Sequence, residues 1–150
     1  GLNSPLFPLI LGLDGKEKMS KQLGNDIEIA LSDEETVERV MAAVTDPARR
    51  YRNDPGHPEI CNIYRLQQYF NPFELDSIGE QCRSAKIGCV DCKMLLAQEI
   101  NSTLKPFREQ RAALADKPRY VAEVLADGAN RARVLARETL KEVKQKMGLI

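Results

Sequence analysis

Apolar side chains recur at helical spacing over most of the chain, and the residues between them predict where each helix ends. The first predicted helix opens at Ser32, with Glu35 three residues later as a capping box requires. Its apolar stripe consists of Val37, Val40, Met41 and Val44. Asp46-Pro47 is predicted to end this helix, because the residue before a proline avoids helical angles.

Two shorter helices are predicted after the polar loop 48–58. The second helix begins near Glu59 and turns four apolar side chains inward, namely Ile60, Ile63, Leu66 and Phe70. Asn71-Pro72 has the pattern of an N-cap followed by proline at the first helical position, and it predicts the start of the third helix. The segment 83–89, which contains Gly88, then reads as a loop.

The last two predicted helices are long. The fourth begins at Val90, and Pro106 is predicted to kink or break it, because proline lacks a backbone donor and clashes with the preceding turn. Pro118 is predicted to start the final helix, Gly128 to interrupt it and Gly148 to stop it.

Residues 1–31 differ from the rest in their prolines and glycines. The apolar run Leu9–Leu13 predicts a strand or extended piece, and Asp14-Gly15 predicts a turn. No second βαβ unit follows, so the chain cannot complete a nucleotide-binding sheet. The predicted fold class is mainly α: a helical bundle preceded by a short extended segment and a loop.

Composition and charge exclude several classes of protein. The chain has 150 residues, enough for about one domain with a real core. It carries 22 basic and 22 acidic side chains, which excludes a polybasic tail and a highly charged disordered chain. No apolar run approaches the roughly 18 residues that a membrane span needs, and no secretory signal is recognised.

The charge is unevenly distributed. Residues 1–60 carry 7 basic and 11 acidic side chains, a net charge of −4, whereas residues 101–150 carry 11 and 6, a net charge of +5. The basic segment suits contact with a phosphate backbone. A solvated helix face with ion pairs, such as Glu142 with Lys146, explains it as well and is the more usual case.

The four cysteines form the pattern C-x20-C-x6-C-x2-C within one fifth of the chain, at Cys61, Cys82, Cys89 and Cys92. Three interpretations stay open: two disulfides, four free buried thiols, or one tetrathiolate metal site. The single C-x-x-C pair favours an iron–sulfur cluster over zinc. Cys89 and Cys92 stand where a loop becomes a helix, which predicts lowered thiol pKa values.

A lysine-bearing loop follows the turn at Asp14-Gly15. Lys18-Met19-Ser20-Lys21 places two ammonium groups three residues apart, and such a pair can bind one polyphosphate. On composition alone this signal is weak, because lysine-rich loops are usually only solvated.

The stretch from Gly12 to Asn25 resembles the Lys-Met-Ser-Lys-Ser signature loop of class I aminoacyl-tRNA synthetases. The later segments resemble the tryptophanyl-tRNA synthetase family in particular; these are residues 43–46, 88–93, 104–111 and 124–129. This resemblance implies that residues 1–31 are the end of a Rossmann-type nucleotide-binding catalytic domain, and that residues 32–150 are a helical anticodon-binding domain.

The resemblance also implies a reaction and roles within it. The family activates tryptophan with ATP and transfers it to tRNA. Lys18 and Lys21 would bind the pyrophosphate side of ATP, while Met19 and Ser20 would shape the loop. The family's final serine is Gln22 here. The family's other ATP motif, His-x-Gly-His, is missing, because the one histidine is His57 in a loop. The chain is therefore expected to be a C-terminal portion, inactive by itself.

Cofactor and partner expectations follow from the same resemblance. The four cysteines would hold a [4Fe-4S] cluster, with zinc as the alternative, in a structural role. Arg83, Lys86 and Lys93 are candidate tRNA contacts by proximity to those cysteines. ATP with Mg²⁺, tryptophan, tRNA, a homodimer and a cytoplasmic location without membrane contact are expected for the full-length enzyme.

Three rivals remain open at this stage. The first is a stand-alone RNA-binding helical module that carries a structural Fe–S or Zn site. The second is a tyrosyl-type relative, which shares the lysine loop but not the cysteine set or the segment around Gly88. The third is a helical interaction domain with buried thiols.

Overall fold

The computed structural model describes residues 9–150, so residues 1–8 of the predicted N-terminal segment lie outside the described residues. The described part contains five α-helices, α1 (Asp33–Ala42), α2 (Asn62–Phe70), α3 (Leu75–Arg83), α4 (Cys89–Ala115) and α5 (Pro118–Lys146). Single 3-10 turns occupy Lys21–Leu23 and Pro58–Ile60. Within residues 9–150 the extended piece forms one isolated antiparallel bridge, Leu11 with Lys18, and no strand. The mainly helical fold class is confirmed.

The chain divides into two compact units, of which the first ends at Arg108 and the second is Glu109–Ile150. This division rests on contacts within the chain, whereas the predicted boundary between residues 31 and 32 rests on family resemblance and stays a prediction. No helix within residues 9–150 is both long and apolar enough to cross a bilayer.

The core of the first unit is built from α1 to α4 and from the segment before α1. Its most deeply buried hydrophobic side chains are Val40, Ile63, Leu66, Ile78, Leu96, Ala97 and Ile100. Ile63 and Leu66 were predicted to face inward, and they do. Replacing a buried leucine such as Leu96 by alanine would cost about 2–5 kcal/mol, so this core fixes the helix ends that carry the candidate sites.

The second unit contains the end of α4 and all of α5, which has no buried residue. Its apolar side chains are exposed at helical spacing: Tyr120, Val124, Leu125, Val134, Leu135, Leu140, Val143 and Met147. Lys144 and Lys146 stand in the last turn of α5, where their positive charges interact favourably with the negative end of the helix dipole. Lys146 pairs with Glu142 at 2.8 Å.

The N-terminus of α1 agrees with the sequence, and its C-terminus does not. The capping box is complete, because Ser32 Oγ accepts from the Glu35 amide and Glu35 accepts from the Ser32 amide. The helix ends at Ala42, so the prediction that it continues to Asp46 is wrong. The Val44 amide donates to the Leu13 carbonyl at 2.9 Å, a tertiary bond that a helix would forbid, and Val44 is 48% exposed.

The predicted start of the third helix at Asn71-Pro72 is also wrong. Asn71 is the C-cap of α2, since its amide and its side-chain nitrogen both donate to Gln67. The third helix starts at Leu75 and leaves Phe73 fully exposed. Ile60 lies in the 3-10 turn before α2 and is half-exposed, contrary to its predicted inward position.

Pro106 and Gly128 lie inside continuous helices, so neither predicted interruption occurs. The guanidinium of Arg108 donates to the side chain of Asn101, seven residues earlier, and to Asp33 and Thr36 of α1. These bonds hold the part of α4 around Pro106 against α1. Pro118 starts α5 as predicted, and Gly148 (φ 69°) follows its end as predicted.

Candidate functional site

The lysine loop is held by one buried amide side chain, that of Asn25, which is 6% exposed. Its Oδ1 accepts from the Ser20 amide at 2.8 Å, and its Nδ2 donates to the Lys18 carbonyl at 3.2 Å. The same Nδ2 donates to Asp14 Oδ2 at 2.7 Å. Asn25 therefore fixes the backbone on both sides of Met19.

The turn before the loop is ordered by Asp14. Its Oδ1 accepts from the amides of Lys16 at 2.9 Å and Glu17 at 3.1 Å. The Lys16 amide and then the Asn25 side chain hold the pKa of Asp14 below its usual value. Glycine is required at position 12, because a Cβ there would collide with the Asn25 side chain. Loop and turn thus form one hydrogen-bonded frame.

Within this frame, the lysine side chains and the methionine side chain differ in their exposure to solvent. Lys18 and Lys21 are exposed, whereas Met19 is half-buried and packs against the core. Ser20 caps the 3-10 turn that starts at Lys21, and Gln22 is exposed in that turn. The arrangement presents two ammonium groups to solvent from an anchored backbone, which suits binding of an anion with several charged oxygens.

The four cysteines line one cavity. Cys61 precedes α2, Cys82 lies in α3, and Cys89 and Cys92 lie in the first turn of α4. All four are free thiols, so they form no disulfide in this structure. The remaining lining residues are Thr45, Asp46, Arg49, Ile63 and Ile87. The structure thus brings together side chains that are up to 31 positions apart in sequence.

Burial decides the thiol pKa values in this cavity. Burial raises the pKa of Cys92 to about 11 and also raises the pKa values of Cys61 and Cys82. The prediction that the helix N-terminus lowers the thiol pKa is therefore wrong for Cys92. This residue is only 9% exposed, and burial disfavours its charged thiolate form. The amide of Gln67 donates to Cys92 Sγ at 3.6 Å, and this bond opposes the shift.

Arg49 is the cation of the cavity. Its Nη1 lies 3.9 Å from Cys82 Sγ, and its Nη2 donates to the carbonyls of Arg52 and Ile87 at 2.6 and 2.9 Å. Its Nε is buried and has no hydrogen-bond partner among the described residues. A buried donor without a partner costs about 1–3 kcal/mol, so an acceptor or anion in the cavity would stabilise this arrangement.

Asp46 ties the cavity wall to the following loop. Its carboxylate accepts from the amides of Ala48 and His57, both at 2.8 Å, and lies 2.9 Å from His57 Nδ1. Burial raises the pKa of Asp46, but these hydrogen bonds outweigh burial and hold the pKa below its usual value. The His57 side chain is half-exposed, in keeping with its predicted loop position.

The donor set suits a tetrathiolate centre, but the cavity is closed. Soft thiolates favour iron–sulfur clusters and zinc, and the unpartnered Arg49 Nε suits a site of negative charge. The cavity measures about 10 Å³, room for about one water. Within residues 9–150, no three Cys, His, Asp or Glu side chains stand close enough to hold one ion. A metal would require side-chain rotation, less for one zinc ion than for four irons.

The three basic residues predicted to contact tRNA have different surroundings. Arg83 is exposed and forms an ion pair with Glu59. Lys86 is exposed. Lys93 is half-buried, and its Nζ donates to the Met41 carbonyl at 2.7 Å, so this ammonium holds α4 to the end of α1. Their role in RNA binding stays a prediction.

The structure contains a basic cleft that was not predicted from the sequence. It has a volume of about 430 Å³ and is lined by Arg49, Arg50, Tyr51 and Arg52 together with Thr45 and residues 88–91. The sequence signal is the run Arg-Arg-Tyr-Arg at residues 49–52, which lies within the predicted polar loop. The start of α4, which completes the cleft, lies nearly 40 residues further on.

Comparison with known proteins identifies the class of enzyme to which this chain is similar. The family model of class I tRNA synthetases for tryptophan and tyrosine (W and Y) matches residues 3–105. The tryptophan–tRNA ligase of Thermotoga maritima is 39% identical over 145 residues, covering 95% of this chain and 44% of the relative. That of Deinococcus radiodurans is 42% identical over 142 residues, covering 94% and 43%.

A solved structure agrees with these relatives. The tryptophanyl-tRNA synthetase of Campylobacter jejuni, complexed with ADP and tryptophan, superposes with a TM-score of 0.84 at 28% identity, over 97% of this chain and 45% of that one. The chain belongs to the family of class I tRNA synthetases for tryptophan and tyrosine, and the relatives to which it is similar are tryptophan–tRNA ligases. It spans less than half the length of the relatives it matches.

Proposed function

We propose that this chain supplies the ATP-phosphate loop and the tRNA-recognising helical region of a tryptophan–tRNA ligase. The observation that carries the proposal is the lysine loop, in which exposed Lys18 and Lys21 project from a backbone fixed by Asn25. Family membership supports tryptophan, ATP and tRNA as partners.

Lys18 and Lys21 would act by stabilising negative charge that develops during the reaction. Negative charge builds on the leaving pyrophosphate when the tryptophan carboxylate attacks the α-phosphate of ATP, and two ammonium groups at that end stabilise it. Mg²⁺ would share this task. Met19 anchors the loop to the core while the lysines stay accessible. The residues that bind tryptophan and complete the ATP site are expected in an upstream half, so the chain alone would be inactive.

The test is tryptophan-dependent ATP–pyrophosphate exchange. We expect no exchange by the chain alone and exchange by a chimera that joins it to the upstream half of the Thermotoga maritima relative. Lys21→Gln in the chimera should lower kcat by about 100-fold, as removal of one preorganised charge-stabilising group does. Lys16→Gln, a matched change outside the motif, should have little effect. Equal activity of the Lys21 and Lys16 variants would contradict the proposal.

The four cysteines are proposed as a structural tetrathiolate site. A [4Fe-4S] cluster is favoured by the family resemblance and by the single C-x-x-C pair, and zinc is favoured by the small cavity. Bound through three segments of the fold, either would cross-link the start of α2, α3 and α4. The expected role is stability rather than electron transfer.

Metal and sulfide analysis after anaerobic purification separates these alternatives. About four iron and four sulfide per chain with broad visible absorption would establish the cluster. One zinc without sulfide would establish the zinc site. Neither metal, with four titratable thiols, would contradict the metal proposal and leave the lysine-loop proposal standing.

A second candidate function is a stand-alone RNA-binding module with a structural metal site. The basic cleft beside the cysteine cavity favours it, because Cys89 and Arg49 line both. It predicts tRNA affinity without the upstream half and no exchange activity in any chimera. The homodimer and the cytoplasmic location remain predictions for the full-length enzyme.

A further inference from the structure

The basic cleft has the composition of a nucleotide-binding surface. Three guanidinium groups and one aromatic ring line about 430 Å³ of open space, a volume within the range of ligand pockets. One carboxylate, that of Asp91, faces them, so the lining carries an excess of two positive charges. The positive end of α4, which begins at Cys89, adds to this excess.

The arginines are not equivalent. Arg49 is tied to the carbonyls of Arg52 and Ile87. Arg52 pairs with Asp91 at 3.5 Å. Arg50 is exposed, and its guanidinium makes no hydrogen bond or ion pair within the described part of the chain. The first two shape the wall, and Arg50 is left to contact a ligand.

Tyr51 supplies an accessible ring beside that guanidinium. It is 75% exposed, so its ring is accessible to a ligand. The backbone beneath it is fixed, because Asp54 Oδ2 accepts from the amides of Arg50 and Tyr51 at 3.1 and 2.8 Å. Arg50 and Tyr51 are therefore presented as neighbours from one ordered turn.

We propose that this cleft binds one nucleotide of single-stranded RNA, with the phosphate on Arg50 and the base stacked on Tyr51. An inorganic phosphate would use the guanidinium alone, whereas an unpaired base uses the ring as well. The inference rests on the proposed function, because it deepens tRNA recognition by naming residues other than Arg83, Lys86 and Lys93.

The test is the salt dependence of tRNA binding to the full chain, measured by fluorescence anisotropy. Arg50→Gln should weaken binding and lower the magnitude of the slope of log K against log salt by about 0.7, the value for one phosphate contact on a single strand. Tyr51→Ala should weaken binding about tenfold without changing the slope, because stacking releases no counterions.

The controls are Arg65→Gln and Tyr120→Ala, exposed side chains outside the cleft that undergo the same changes. Both should bind tRNA as the unmodified chain does. Circular dichroism should show equal helix content in all five proteins. Competition with inorganic phosphate and with a short single-stranded oligonucleotide then identifies the ligand class, and we expect displacement by the oligonucleotide at far lower concentration.

Three outcomes overturn the inference. Cleft variants that bind like their controls would contradict it and leave the proposed function intact. Equal displacement by phosphate and oligonucleotide would reduce the cleft to an anion site. A failure of the unmodified chain to bind any tRNA would contradict both this inference and the proposed tRNA recognition.

Discussion

The lysine loop and the cysteine cavity differ in whether their buried polar groups are satisfied without a ligand. In the loop, a buried amide and a carboxylate satisfy the backbone, so that Lys18 and Lys21 can remain exposed. In the cavity, two thiols are buried and two are partly buried, burial raises the pKa values of three of them, and Arg49 Nε lacks a partner among the described residues. The hydrogen bonds that hold the loop form without a ligand. In the cavity, by contrast, Arg49 Nε would gain a hydrogen-bond partner only from a bound ligand. Stability should therefore depend on the ligand in the cavity but not in the loop.

The largest expected effect comes from removing a thiol in metal-loaded protein. Cys89→Ala should lower the free energy of unfolding by more than about 4 kcal/mol, because a structural metal contributes on the order of 10 kcal/mol to folding. In chelator-treated protein the same change should cost only about 1 kcal/mol, as ordinary substitutions do. Urea denaturation of both forms measures the difference.

The control for that measurement is Val90→Ala, an exposed neighbour of Cys89. It should change stability by less than about 0.5 kcal/mol in either form. A loss for Cys89→Ala that is equally small with and without metal would show that the cavity needs no ligand, and the contrast with the loop would disappear.

The next effect should come from the loop frame. Asn25→Ala removes the acceptor of the Ser20 amide and the donor to Asp14 Oδ2, and we expect a loss of about 2–3 kcal/mol in the free energy of unfolding. Hydrogen exchange at the Ser20 amide should accelerate by more than the global loss explains. Asn53→Ala, at an exposed loop position, is the control. Unchanged exchange at Ser20 would show that Asn25 does not hold the loop.

A smaller effect, dependent on pH, is expected from Asp46 in metal-free protein. Because the pKa of the Asp46 carboxyl is lower in the folded protein, its stabilisation is fully present above the unfolded pKa of about 3.9 and is lost as pH falls through the folded value. Asp46→Asn should cost about 1–2 kcal/mol at pH 7, since it weakens hydrogen bonds to a charged group.

The measurement for Asp46 is the difference between the unfolding free energies of the unmodified chain and the variant from pH 7 to pH 2. The difference should shrink below about pH 4. A difference that stays constant over that range would show that the carboxylate charge does not contribute.

Elements fixed by neighbouring residues could be predicted from the sequence. The capping box of Ser32 and Glu35, the start at Pro118 and the stop at Gly148 all depend on residues within one turn. Asn71 misled the prediction because its side chain bonds backwards to Gln67 rather than forwards. Pro106 lies inside α4, and the following Arg108 bonds Asp33 and Thr36 of α1, contacts that the local sequence does not reveal.

The candidate site divides in the same way. Cysteine spacing was enough to place the four thiols together, and the lysine motif was enough to place two exposed ammonium groups. The raised pKa of Cys92 could not be predicted, because it depends on burial in a core built from residues that are distant in sequence. The cleft at Arg50 and Tyr51 was missed since its other wall comes from the start of α4.

The smallest expected effect concerns Gln22, which stands where the motif that the lysine loop resembles has serine. Gln22→Ser introduces that serine, yet Gln22 is exposed, whereas Ser20 and Lys18 are held by Asn25. We expect a change of less than about 0.5 kcal/mol in the free energy of unfolding. In the pyrophosphate-exchange chimera, KM for ATP should change less than twofold. A larger change in either quantity would mean that residue 22, and not Asn25 alone, sets the geometry of the lysines.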